Sequence, residues 1–302
     1  MKNHRIVIGI PFLASRHTKA LELSLYSIRR FLPQDLDVFL QVDVSNRELA
    51  AEFSEDKIRD IMRQINIRYY THDRSGGHKQ DLVNWILDEA KADYAVIMHS
   101  DVYFCNDRIL SVLLQPLYEN PLNVFSCWKT PFVEYRSTFH MTESSASHFW
   151  VLPRIASWLF ALNLDRCREH REIIGSAFNA HYWIRNGSRE TLPAEPELFD
   201  RWFLKQDRTE SIRSSEIDCL IDIGTFLRMY WDEGLITGHC LGEMGNPDFA
   251  SLELTCHPAG FVHIEQYDPE RFDDRFYAKE LMQKRTEQIE QILQKMKGHC
   301  QE

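Results

Sequence analysis

The sequence predicts an α/β protein with a mainly parallel, doubly wound central sheet flanked by helices, and three observations favour this fold class. Between residues 5 and 105, short runs rich in β-branched residues alternate with segments whose apolar residues recur at helical spacing. Several of the apolar runs end directly in polar or charged side chains. The chain has 302 residues, 44% of them hydrophobic, and can therefore bury a sizeable core. Strands that alternate with helices imply crossover connections, which pair strands in parallel.

Each element of this first half is predicted from its own pattern. The strands are expected at residues 5–13, 37–44, 65–73 and 94–98, and the helices at 17–32, 54–65 and 78–92. In the first helix, the residues that recur at helical spacing are Leu21, Leu25, Ile28 and Leu32. The helix from residue 54 has acidic residues in its first turn, where the helix dipole favours them.

The regular alternation fades after residue 105. Segments 125–132 and 147–162 are apolar and aromatic, whereas 185–218 is polar and charged and contains two prolines. This polar stretch is predicted to be a long surface loop with short helices, and such loops are often functional lids.

The domain organisation is predicted from the absence of any change in composition that would mark a linker. We expect a single domain over residues 1–267, with its two halves meeting at residues 105 and 106. Residues 268–302 are predicted to be a C-terminal amphipathic helical extension. Its apolar face carries Ile289, Ile292, Leu293 and Met296. The sequence leaves open whether this face packs within the chain or forms a homodimer.

Charge and cysteine content exclude several classes of function. The net charge of -10 gives a field that repels nucleic acid and anionic lipid. No run approaches the roughly 20 apolar residues of a membrane span, and the first residues lack a signal-peptide pattern, so a cytoplasmic location is expected. The seven cysteines include no closely spaced pair, which argues against a disulfide framework or a structural zinc site.

Chemically active side chains collect where the predicted strands end. Asp43 closes the second strand, Asp73 and Arg74 close the third, and His99 and Asp101 follow the fourth. In a parallel sheet, ligands bind outside the carboxyl ends of the strands. This mixture suits a nucleotide diphosphate bridged by a divalent cation: carboxylate oxygens favour magnesium or manganese, and an imidazole shifts the preference toward manganese or another transition ion. A single Asp after a strand is also a common turn or helix cap.

The order of these segments resembles a known family. The series IVIGIPFLAS, FLQVDVSNRE and RSGGHKQDLVNWILDEAKADYAVIMHSDVYF is similar to the nucleotide-sugar-binding half of the GT-A, Rossmann-like fold of family 2 glycosyltransferases. The similarity covers about residues 5–105 and thins out afterwards. It implies an enzyme that binds a nucleotide sugar.

The resemblance also implies roles for individual residues. An Asp within a VDxxS-type segment contacts the nucleobase in that family, and Asp43 with Ser45 occupies this place. The family's strand-end Asp-x-Asp motif is matched by His99, Ser100 and Asp101, with His in place of the first Asp and Asp101 as the implied metal ligand. The residues implied to contact the donor nucleotide are Pro11, Asp43, Ser45, Arg74, Lys79, His99, Ser100 and Asp101. Lys79 matches the basic residue that follows the family's Gly-rich turn, here Gly76 and Gly77.

Two later segments are implied to complete the site. A late histidine on the same metal is matched by His263, with His257 as the alternate, and His99 is a further candidate ligand. The family's general base is matched by Asp222, with Asp218 and Glu216 as rivals. Asp222 also precedes a helical pattern, so an N-cap is its alternative role. Such a base implies direct displacement with inversion at the anomeric carbon.

The leading hypothesis is a metal-assisted glycosyltransferase that moves a sugar from a nucleotide-diphosphate sugar, UDP-linked by default, to a hydroxyl acceptor, with Mn²⁺ or Mg²⁺ as cofactor. A non-catalytic nucleotide- or sugar-binding protein on the same scaffold is the alternative, because His99 departs from the motif. A nucleotidyltransferase is disfavoured, because no glycine follows Gly9 in PFLASRHTKA. The aromatic residues that could stack on sugars, or equally fill the core, are Trp128, Tyr135, His148 and Trp150.

Overall fold

The computed structural model describes most of the chain. The described residues are 4–13, 18–33, 35–43, 55–73, 79–130, 133–136, 148–174, 182–185, 188–189, 196–206, 218–221, 223–243, 256–264 and 279–300.

Strands and helices alternate regularly up to residue 98, as the sequence predicts. The strands are β1 (Ile6–Leu13), β2 (Asp37–Asp43), β3 (Arg68–Asp73), β4 (Tyr94–Met98), β5 (Val102–Phe104), β6 (Val124–Thr130), β7 (Val133–Arg136), β8 (His148–Val151), β9 (Arg154–Ile155), β10 (Leu159–Asn163), β11 (Tyr182–Arg185), β12 (Ser188–Arg189), β13 (Asp218–Ile221), β14 (Gly238–Glu243) and β15 (Phe261–His263). The helices are α1 (Thr18–Phe31), α2 (Glu55–Gln64), α3 (Lys79–Glu89), α4 (Arg108–Glu119), α5 (Leu164–Glu169), α6 (Pro196–Leu204), α7 (Ile223–Asp232) and α8 (Lys279–Cys300).

The central sheet has the strand order β14-β6-β10-β4-β1-β2-β3, with β9 beside β6. Parallel pairs join β1 to β2, β2 to β3, β1 to β4 and β6 to β14, whereas β10 runs antiparallel to both β4 and β6. The predicted fold class, a mainly parallel sheet flanked by helices with a C-terminal helix, is therefore confirmed.

Helices cover both faces of this sheet. One apolar cluster joins the sheet to α1, α2, α4 and α8, and a second joins its other face to α3, α5, α6 and α7. Helix α3 packs very closely against β1. A Cβ atom placed on Gly9 would lie only 2.7 Å from side-chain atoms of both Ile86 and Ile97. Only glycine fits at that position without a shift of its neighbours.

The C-terminal helix α8 lies against α1 within the same chain. Ile289, Leu293 and Met296, three of the residues on its predicted apolar face, are buried in the first cluster. Ion pairs link Lys297 to Glu22 and Lys19 to Glu290 along the same contact. The apolar face is thus covered inside the chain, and a homodimer through it stays a prediction.

Among the described residues, two smaller sheets accompany the central one. Strands β12, β11, β13, β8 and β7 form one of them, and β5 pairs with β15 in an antiparallel ribbon. Within the polar stretch 185–218, α6 is a short helix of the kind expected there, but it buries Phe199 and Trp202 in the core instead of lying at the surface. No helix among the described residues is long and apolar enough to span a membrane.

Candidate functional site

The candidate site begins where β4 ends at the centre of the sheet. The His99 amide donates to the Trp158 carbonyl oxygen at 2.9 Å, and the Val102 amide donates back to the His99 carbonyl oxygen at 3.2 Å. The second of these bonds closes a tight turn over residues 99–102. The turn carries His99 and Asp101 at the carboxyl edge of the sheet and leads directly into β5.

Two serines of α1 fix the backbone of this turn. The buried Ser24 hydroxyl lies 2.8 Å from the Ser100 carbonyl oxygen and 2.5 Å from that of Val102, within donating distance of both. The Ser27 hydroxyl accepts a hydrogen bond from the Phe104 amide at 3.0 Å. The backbone on either side of Asp101 is therefore attached to a helix that belongs to the core.

The β5–β15 ribbon brings a histidine from the far end of the sequence to the same turn. Val102 pairs with His263, and the Ile264 amide donates to the Asp101 carbonyl oxygen at 2.9 Å. The Trp158 ring stacks on the His263 ring with centroids 4.8 Å apart and planes 20° apart. The β5–β15 pairing fixes the position of the His263 backbone, and stacking on Trp158 restricts the orientation of its imidazole ring.

Three side chains converge at this point, and we call them the His-Asp-His cluster: His99, Asp101 and His263. Asp101 Oδ1 lies 3.8 Å from His99 Nδ1 and 3.5 Å from His263 Nε2. The side chains are 26%, 14% and 12% exposed, respectively. One ligand atom from each residue lies within 4.8 Å of the others.

This spacing fits a bound divalent metal ion. Ion-to-ligand distances of about 2.0–2.2 Å place neighbouring ligand atoms about 3.0–3.5 Å apart. The observed separations reach that range with small side-chain rotations. A carboxylate oxygen and two imidazole nitrogens are also donors that a transition metal accepts.

His257, the alternate ligand, lies outside the cluster. Its Nδ1 accepts a hydrogen bond from the Ala259 amide at 3.0 Å. Its ring packs on Trp128 and Phe261, with centroids 4.2 Å and 4.9 Å away. Burial lowers the pKa of His257 from its ordinary value, which favours the neutral ring. The arrangement makes His257 a packing residue of the turn before β15.

The remaining predicted donor contacts are placed in part. Pro11, in β1, lies opposite Gln41 of β2, and Ser100 is buried within the turn. The backbone is described for Asp43, the last residue of β2, and for Lys79, the first residue of α3. Ser45, Arg74, Gly76 and Gly77 lie outside the described residues.

The predicted general bases are placed less completely. Asp218 is the first residue of β13, with its backbone described, whereas Glu216 and Asp222 lie outside the described residues. Helix α7 begins immediately after Asp222. Of the aromatic candidates, Trp128 is half-buried and packs on Trp158. Tyr135, His148 and Trp150 are described in their backbones only.

Four residues that shape the site were not singled out from the sequence. They are Ser24, Ser27, Trp158 and Gly260. The serines left a signal in the sequence, since both lie among the apolar residues of α1, and the structure buries both of them fully. Trp158 and Gly260 reach the site only through pairings between distant segments, which no local pattern reveals.

The chain was also compared with known proteins. No protein-family model matches it, and no curated protein matches it. Among solved structures, S. aureus TarS 1-349 matches at 16% identity and a TM-score of 0.39, over 72% of this chain and 58% of that TarS fragment.

Two further solved structures are similar in the same weak sense. The mannosyltransferase PcManGT from Pyrobaculum calidifontis, in complex with GDP-Man and Mn²⁺, matches at 16% identity and a TM-score of 0.39, over 71% of this chain and 66% of its own. CMP:2-keto-3-deoxy-manno-octonic acid synthetase, complexed with CTP, matches at 11% identity and a TM-score of 0.40, over 80% and 90%. All three TM-scores lie below 0.5, so the function has to be argued from the residues of the site.

Proposed function

We propose that the protein is a metal-dependent glycosyltransferase that moves a sugar from a nucleotide-diphosphate sugar to a hydroxyl acceptor. The observation that carries this proposal is the convergence of His99, Asp101 and His263 at the carboxyl end of β4. Such a cluster, on the ligand-binding edge of a mainly parallel sheet, suits a metal-bridged diphosphate.

The topology of the sheet supports this position for the donor. The chain leaves β1 for β2 on one side, and β4 lies on the other side of β1, so the carboxyl ends of β1 and β4 flank a topological switch point. Strands are about 4.8 Å apart, so the end of β2 lies roughly 10 Å from the end of β4. A diphosphate held at the cluster would therefore direct its nucleoside toward β2, where Asp43 is the proposed base contact.

The chain's own residues have separate tasks in this proposal. Asp101, His263 and His99 hold the ion, and Trp158 and the turn keep their orientation. A divalent ion bound there would stabilise the negative charge of the leaving diphosphate. The default donor is a UDP-sugar, on the basis of the sequence resemblance.

The residues before α7 are proposed to activate the acceptor hydroxyl. Asp222 is the proposed general base that takes the proton from the acceptor hydroxyl, and Asp218 is its alternate. A base on the face opposite the leaving group gives direct displacement and inversion at the anomeric carbon. Both assignments come from the sequence resemblance.

The experiment is an assay of nucleoside diphosphate release from a panel of UDP-, GDP- and CDP-sugars in Mn²⁺, with and without simple glycoside acceptors. We expect one donor class to be consumed, and Asp101→Asn to reduce the rate by about a hundredfold or more. Asp88→Asn, a change at a surface ion pair with Arg171, is the matched control and should keep full activity.

One outcome contradicts the transferase and another contradicts its proposed site. Metal-dependent binding of a nucleotide sugar without turnover would favour the non-catalytic alternative. Turnover that is unaffected by Asp101→Asn would move the site elsewhere.

A further inference from the structure

We infer that the His-Asp-His cluster binds a transition-metal ion without nucleotide and discriminates against Mg²⁺. The inference deepens the proposed function by naming the class of metal, and it concerns an ion that stays on the protein between donors. It rests on three features of the cluster: its donor atoms, the number of ligands from the protein, and the rigidity of their supports.

The donor atoms favour a transition metal. The cluster offers two imidazole nitrogens and one carboxylate oxygen. Mg²⁺ prefers oxygen ligands and gives up its water molecules reluctantly. Imidazole nitrogen suits zinc, iron, cobalt and related ions, whose affinities for nitrogen sites exceed those of Mg²⁺ and Mn²⁺. His99 decides this balance, since a carboxylate at its position would leave a site with more oxygen than nitrogen.

The number of protein ligands favours binding without nucleotide. A magnesium site that depends on substrate phosphates needs only one or two protein carboxylates. Here three side chains already point at one position, with Oδ1-to-nitrogen separations of 3.8 Å and 3.5 Å. Three protein ligands match the number that catalytic zinc sites use, and they leave coordination positions open for phosphate oxygens.

The supports of the ligands reduce the cost of assembling the site. The Ser24 hydroxyl lies within hydrogen-bond distance of the carbonyl oxygens on both sides of Asp101, and the Ile264 amide donates to the Asp101 carbonyl oxygen. Trp158 restricts His263 by stacking and fixes the His99 backbone through its carbonyl oxygen. Ligands that are oriented before binding lose less conformational freedom when the ion arrives.

The net charge of the cluster with its ion would still attract the diphosphate of a donor. One carboxylate and two neutral imidazoles give a divalent ion a net charge of about +1 at the cluster. A positive centre remains attractive to a diphosphate, so the ion can be resident and still receive the donor.

The test uses the full-length protein after removal of metal by a chelator. Co²⁺ is titrated in the absence of nucleotide, and binding is followed by the visible absorption that nitrogen-ligated Co²⁺ develops. We expect saturation near one ion per chain. Mg²⁺ at a thousandfold excess should leave the absorption unchanged, whereas Zn²⁺ should displace Co²⁺.

Two variants and a control localise the ion. His99→Asp and His99→Asn should each weaken Co²⁺ binding at least about tenfold, the cost that even the loss of an outer hydrogen bond can reach. His99→Asp should also let Mg²⁺ compete. His239→Ala, at an exposed histidine of β14, should bind Co²⁺ as the wild type does. Circular dichroism spectra establish that each variant is folded, and the second substitution at His99 replaces the first if one fails.

The inference is overturned if Co²⁺ binds only in the presence of a nucleoside diphosphate, or if Mg²⁺ displaces it at comparable concentration. Either result leaves the transferase proposal intact. Conversely, tight Co²⁺ binding by a protein that consumes no nucleotide sugar would remove the transferase and retain the metal site.

Discussion

Gly260 begins the segment that carries His263 into the site, and Gly260→Ala should destabilise the protein by about 2–3 kcal/mol. Gly260 has a φ of 97°, and a Cβ atom there would lie 2.3 Å from Asn106 Oδ1. The left-handed backbone costs an alanine about 1–2 kcal/mol. Relief of the clash requires Asn106 to turn away from the Arg108 amide, to which it is bonded at 3.0 Å, and the loss of such a bond at a helix start costs about 1 kcal/mol.

Two other glycines separate these contributions. Gly234 has a φ of 73° with no atom within 4 Å of an added Cβ, so Gly234→Ala should show the backbone cost alone, about 1–2 kcal/mol. Gly242 has open space and no positive φ, and Gly242→Ala should cost nothing measurable.

The assay is urea denaturation followed by tryptophan fluorescence, in which an unchanged slope allows the midpoints to be compared. Gly260→Ala should be the least stable of the three variants. It should also bind Co²⁺ more weakly, because the Gly260 carbonyl oxygen accepts the Cys105 amide at 2.8 Å and begins the β5–β15 pairing. Equal stabilities for Gly260→Ala and Gly234→Ala would refute the clash with Asn106, and wild-type stability would refute both contributions.

Three further predictions concern the sheet and its surroundings. Gln41→Met should stabilise the protein by about 1–2 kcal/mol in thermal unfolding, because Gln41 is 2% exposed and neither of its amide atoms has a hydrogen-bond partner among the described residues; a loss of stability would reveal a partner. Arg168→Met should cost about 2 kcal/mol in urea, since Arg168 donates to the carbonyl oxygens of Leu87 at 3.1 Å and Ala90 at 2.6 Å near the end of α3; an unchanged midpoint would contradict this. Burial lowers the pKa of His257 in the folded protein from 6.5, so the unfolded state binds more protons as the pH falls through that value, and the free energy of unfolding should decline there. His257→Phe should make this decline with pH shallower. An equally steep dependence of stability on pH in the variant would exclude His257 as its cause.

Local patterns predicted the first half of the fold well. The helix expected at 17–32 is observed as Thr18–Phe31, and the strand expected at 94–98 is Tyr94–Met98. Both depend on residue spacing within one segment, which the sequence displays directly. The carboxyl ends of these strands then located His99 and Asp101 without any knowledge of tertiary contacts.

Pairings between distant segments could not be predicted in the same way. Strand β10 inserts antiparallel between β4 and β6, and nothing in Leu159–Asn163 states which strands it joins. Helix α6 fits the short helices expected within 185–218, but the surrounding charges concealed the burial of its apolar residues, which are Leu198, Phe199, Trp202 and Phe203.

The residues of the candidate site also differ in how far the sequence alone could predict them. His263 was expected from a resemblance, yet its place beside Asp101 depends on β5 pairing with β15 across more than 150 residues. The Ser24 hydroxyl and the Trp158 ring act on a turn far from them in sequence, so their roles are visible only once the chain is folded.

The most direct test of the proposed function is calorimetric titration of UDP, GDP, CDP and ADP into the protein, first with Mn²⁺ and then with EDTA. We expect one nucleotide to bind with Mn²⁺, to lose its binding in EDTA, and to bind at least about tenfold more weakly to Asp101→Asn. If no nucleotide binds under either condition, the donor site at the carboxyl edge of β4 is contradicted, and the transferase with it.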